Sequence, residues 1–79
     1  MNRQEQQIVK EIITELESAE KKHPLFPTDI LHQIAIVNEE SGEATRASLH
    51  VVYEKGSKQA VKEELIQTAA MCIRMLKNL

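Results

Sequence analysis

Apolar residues recur along this chain at helical rather than strand spacing. Ile8, Ile12, Ile13, Leu16 and Ala19 lie close to an i, i+4, i+8 stripe. They sit in an otherwise charged and glutamine-rich segment from about Gln4 to Lys22. The pattern predicts a first helix that shows one face to a partner. The stretch "HPLFPTD" ends it, because Pro24 disfavours helical geometry at His23 and Pro27 does the same at Phe26. Leu25 and Phe26 are expected to plug the end of the core from this loop. Thr28 or Asp29 then caps a second, long helix reaching Tyr53 or Glu54. At ~1.5 Å per residue its roughly 25 residues span about 38 Å. Gly56 is its stop, and Ser57 caps a third helix from about Lys58 to Lys77. Val61, Leu65, Ala69, Cys72 and Leu76 form the main apolar stripe of that helix, widened by Ile66 and Ile73. No segment alternates like a strand, and there is no repeat or low-complexity tract. The expectation is an all-α fold in one domain, residues 1–79. It has three helices, with the long one central and antiparallel packing across the short "GS" connection.

Size sharpens this picture. A chain of 79 residues buries only about 60–65 % of the surface its unfolded form exposes. The one cysteine, Cys72, forms no internal disulfide and reads as a small core residue. Association with further copies is the usual remedy for so small a helical core. A net charge of −2, with acids and bases mixed along the chain, lacks the basic stripe of a nucleic-acid binder. Phe26 and Tyr53 are the only aromatic residues, too few for a base-stacking platform. No apolar run approaches the ~18 residues of a membrane span. The N-terminus "MNRQEQQIVK" has no apolar signal region, so a cytoplasmic setting is expected.

Candidate chemistry lies in the acids. Glu39, Glu40 and Glu43 share one face of the second helix, within about 100° of arc. Like charges at this spacing weaken a helix by a few tenths of a kcal/mol. A hard cation would turn that cost into an advantage, since magnesium takes several carboxylate oxygens at ~2.1 Å. Glu64 and Gln67 share a face of the third helix, at the margin of its apolar stripe. Antiparallel packing would bring them to Glu40 and Glu43. The other reading is a set of solvated faces with salt bridges to Lys58, Lys62 and Arg46. Gly42 lies among these acids, where it costs about 1 kcal/mol relative to Ala. Close approach of a helix or ligand would explain it, as would a packing notch.

These residues resemble the all-α nucleoside triphosphate pyrophosphohydrolases, the MazG-like superfamily. The family hallmark is EExxE on one helix and ExxD on the next. Here Glu39-Glu40-Ser41-Gly42-Glu43 is followed, after residues 44 through 63, by Glu64-Leu65-Ile66-Gln67. The likeness covers His23 to Leu76. It implies helical subunits that oligomerise, as dimer or tetramer, to complete a four-helix core. It further implies magnesium, or manganese, held by Glu40, Glu43 and Glu64, with Gln67 as a neutral fourth group. Glu39 would be an extra ligand or polarise the attacking water. The implied reaction converts a nucleoside triphosphate to monophosphate and pyrophosphate.

Two departures stand against the pattern. Gln67 replaces an Asp, removing one negative charge. The site could use Glu39 or Glu63 instead, have changed its metal or substrate, or have lost catalysis and become an interaction module. "EELIQTAAMCIRML" also resembles a short, phage-like branch of the superfamily in which Gln is familiar here. The chain also stops soon after the third helix, where many relatives carry another. Arg46 and Arg74 are candidates for phosphate binding, and Lys58 and Lys62 weaker ones. His32 and His50 read as surface or interface residues, Asp29 as a helix-terminal charge, and Met71 and Met75 as core or subunit contacts.

Overall fold

The computed structural model describes all 79 residues as three helices and no strand. Helix α1 spans Arg3–Lys22, α2 spans Ile30–Tyr53 and α3 spans Lys58–Lys77. Each begins at a side-chain cap. Asn2 accepts from the Glu5 N–H at 2.8 Å, and Glu5 in turn accepts from the Asn2 N–H at 2.8 Å. This reciprocal box satisfies two orphan donors and sets the start of α1. Asp29, one of the two residues expected to cap α2, accepts from the Leu31 N–H at 2.9 Å. Ser57 accepts from the Ala60 N–H and caps α3.

The α2–α3 turn depends on Gly56. Its N–H donates to the His50 carbonyl, which also accepts from the Glu54 N–H. A Cβ on Gly56 would stand 2.7 Å from the His50 Cβ. The requirement is therefore close approach of backbone to side chain, since no glycine here has positive φ.

In space α3 is the middle helix, not the long α2 expected at the centre. It packs against α2 and α1, whereas α1 and α2 do not meet. The α2–α3 pair is antiparallel: Ile36 and Glu40 line one cavity with Met71 and Gln67, and Val51 lines another with Val61. The α1–α3 pair is parallel, held in register by Glu11–Lys62 at 3.4 Å and Glu20–Lys77 at 2.8 Å. Both pairs are partly solvated, so each contributes at most about 1 kcal/mol. They fix register more than they stabilise.

This arrangement corrects the expected core. Leu16, Ala44 and Ala70 are the buried apolar residues, joined by Gln33 and Arg74. Leu65, Cys72 and Leu76, from the expected α3 stripe, are exposed. The reason is geometric. Two flanking helices cover two sides of α3, and the regular stripe occupies the side that neither covers. Leu25 does not plug the core; it is 91 % exposed. Phe26 is half-buried, as are Met71 and Met75.

Gly42 has open space where its Cβ would be, so neither close approach nor a notch within the chain explains it. Gly42→Ala should therefore stabilise the chain by about 1 kcal/mol through helix propensity alone. Urea unfolding checks this, and a destabilised variant would mean that something packs on that position in solution.

Candidate metal centre

Helices α2 and α3 converge where the sequence places its acids. Glu40 and Glu43, one turn apart on α2, meet Glu64 of α3. One carboxylate oxygen from each lies within 4.8 Å of the other two. Glu43 is exposed, while Glu40 and Glu64 are half-buried. The Oε2 atoms of Glu40 and Glu64 are out of reach of solvent and accept no hydrogen bond. Shielding is local at Glu64, where one oxygen is covered and the residue as a whole is not.

Crowding shows in the ionisation. The Glu40 carboxyl is held above its ordinary value of 4.5, first by burial and then by the charges of Glu43, Glu64, Glu39 and Glu15. Glu64 is raised by loss of solvent at its carboxyl, by a hydrogen bond with Glu43, and by the charges of Glu43 and Glu63. No cation of the protein relieves this repulsion. Lys62 pairs with Glu11, and neither Lys58 nor Arg46 makes an ion pair. The salt-bridged alternative for these acids is therefore not the arrangement the chain adopts.

The other candidates divide. Gln67 lies beside the cluster, lining with Glu40 a cavity of about 320 Å³. Its side chain makes no hydrogen bond within the protein, so its amide oxygen is free. Glu39 is exposed next to Glu40, outside the three-carboxylate group. Arg46 is exposed on α2. Lys58 lies apart, on the α3 side lined by Val51 and Val61. Lys62 sits with Glu63 in a shallow crevice between α1 and α3, of which Gln67 forms one wall.

Arg74 lines the same cavity as Glu40 and Gln67, but it is 5 % exposed. Its guanidinium lies 4.8 Å from the centre of the Phe26 ring and donates to the His23 carbonyl. It fastens the α1–α2 loop to α3. His32 is exposed, and exposed His50 lies 3.6 Å from Glu54.

One participant escaped the sequence reading. Glu15, half-buried on α1, lines the cavity with Glu40 and Gln67, and its charge bears on Glu40. No local spacing links it to the acids, which lie beyond a loop and on other helices. Its only signal is position: Glu15 directly precedes buried Leu16, at the margin of the α1 stripe.

What fold and site together define is an all-α three-helix protein with a three-carboxylate cluster between two helices. Comparison with protein families, characterised proteins and solved structures finds no match.

Proposed function

We propose that this chain is a magnesium-dependent nucleoside triphosphate pyrophosphohydrolase of the MazG-like type, acting in the cytoplasm as a homo-oligomer that completes a four-helix core. One observation carries the reading: three carboxylates from two helices meet within 4.8 Å, with no cation of the protein between them. The donor set fits a hard divalent ion. All donors are oxygens, and Glu40 and Glu64 each carry a shielded oxygen without a hydrogen-bond partner. Magnesium, or manganese in its place, would be held by Glu40, Glu43 and Glu64, with the Gln67 amide oxygen as a neutral addition. The bound ion supplies charge neutralisation at the phosphates and a water of lowered pKa.

The residues around it take the remaining roles. Glu39 accepts the proton of the attacking water. Arg46, three residues after Glu43, meets phosphate charge from the α2 side, and Arg74 borders the cavity on α3. The lysines Lys58 and Lys62 stand farther off and act, at most, as long-range positive charge. Water oxygen bonds to the α-phosphorus as the anhydride bond to the β-phosphate breaks, leaving monophosphate and pyrophosphate.

Gln67 favours a second reading, a helical module that has lost catalysis, because the family pattern has a charged ligand there. Pyrophosphate release from a panel of ribo- and deoxyribonucleoside triphosphates, with magnesium or manganese, separates the two. Turnover of at least one member is expected, with a gain on Gln67→Asp. Silence across the panel for both proteins would leave the module.

A further inference from the structure

Helix α1 turns three acids toward α3 in one register. Glu11 pairs with Lys62 at 3.4 Å, and Glu20 with Lys77 at 2.8 Å. Between them, one turn after Glu11, lies Glu15, which makes no ion pair. Beside it stands Gln67, five residues after Lys62 on the parallel helix. Glu15 and Gln67 together line the cavity of about 320 Å³ that Glu40 borders, and also the crevice between α1 and α3. Lys22 borders the same cavity but pairs with none of its acids.

For the fold alone a carboxylate here is a burden. It is half-buried, and its charge bears on Glu40. The paired acids on either side of it have a structural role in setting register. Glu15 has none of that kind. Its setting makes sense beside the cluster, where Gln67 is the one donor of the proposed set without charge. A hard cation is held according to the number of charged ligands around it. Two other acids could supply the difference, and the geometry favours neither. Glu39 is exposed and lies outside the cavity that Glu40 and Gln67 share. Glu63 is exposed and outside it as well, and accepts from the Gln59 amide at 3.4 Å.

We propose that Glu15 is a positioning residue of the metal cluster, supplying from α1 the negative charge that Gln67 lacks, so that all three helices serve one site. The inference rests on the metal reading of Glu40, Glu43 and Glu64 given above, but not on the identity of the substrate. Glu15 stands outside the three carboxylates that come within 4.8 Å of one another. It therefore acts across the cavity, as outer acids around metal ligands do, and not as a fourth direct ligand.

Calorimetric titration of the intact chain with magnesium alone, and with manganese alone, tests this. Glu15→Gln keeps the shape and removes the charge. It should weaken metal binding by about 10- to 100-fold. Glu17→Gln, at an exposed position of α1 that lines neither cavity, should bind as the wild type does. Returning the charge from the facing helix is the sharper test. Adding Gln67→Asp to Glu15→Gln should bring the affinity back to within about threefold of wild type. A merely structural role for Glu15 gives no such rescue. Without metal, Glu15→Gln should melt no lower than the wild type, because the charge it removes is half-buried and unpaired. Unchanged affinity in Glu15→Gln, beside a clear loss in Glu40→Gln, would overturn the role of Glu15 and leave the cluster standing. A lowered metal-free melting temperature without rescue by Gln67→Asp would make Glu15 a residue of the fold only. A wild type that binds neither ion overturns the metal reading and this inference with it.

Discussion

Glu40→Gln should raise the melting temperature of the metal-free protein near neutral pH, yet lower its turnover by at least about 100-fold. Both effects come from one carboxylate. Glu40 is held above 4.5 by burial and by four neighbouring acids. The folded state therefore binds more protons than the unfolded state between 4.5 and the raised value. Stability then falls as pH rises through that window, and the penalty is complete above it. Gln is isosteric and has no charge to desolvate, so the variant escapes the penalty. The difference between variant and wild type should grow from about pH 4.5 upward and then level off. Added magnesium should reverse the order. On the proposed metal reading it would stabilise the wild type by binding the folded state, and would release protons from the cluster as it does so. The variant should gain little. Thermal melts at several pH values, with and without the metal, read all of this. A Glu40→Gln protein that melts lower than wild type at pH 7, with an undiminished magnesium response, would remove Glu40 from the site.

The prediction uses residues that sequence spacing could find. Glu40, Glu43 and Glu64 are legible because i, i+3 spacing and a short hairpin connection restrict where they point. The helix ends are legible for similar local reasons: Pro24, Asp29, Gly56 and Ser57 act on their own neighbours. What spacing cannot tell is which neighbour covers which face. The stripe through Leu65 and Cys72 is the most regular apolar pattern on α3, and within one chain it is uncovered. The buried side of α3 instead carries Ala70 and Arg74, because α1 docks parallel through Glu11–Lys62 and Glu20–Lys77. That docking is also what brings Glu15 to the cavity. Register between distant helices decided each of these, and no local rule encodes it. The exposed stripe keeps its logic if the core is counted over two chains rather than one.

Arg74→Ala should destabilise the protein by about 2–4 kcal/mol. An arginine this deeply buried ordinarily has a carboxylate partner. Arg74 has none within ion-pair distance, and it holds the Phe26 ring and the His23 carbonyl instead. A cation over an aromatic face contributes about 0.5–2 kcal/mol. A charged hydrogen bond contributes about 1.5–3 kcal/mol. Truncation removes both and the packing of the aliphatic stem, and releases the loop between α1 and α2. In a domain of this size each kcal/mol shifts the melting temperature by about 4–8 °C, so the loss should be large at fixed chain concentration. Arg74→Lys should recover only part, because an ammonium cannot lie flat on the ring while donating sideways to the carbonyl. Kinetics separate this role from phosphate binding. If Arg74 is a loop fastener, any turnover under the proposed function would change chiefly through the folded fraction, so at low temperature the folded protein should keep its KM for triphosphate. A variant of normal stability with a raised KM for triphosphate would reverse the assignment and make the guanidinium a substrate ligand.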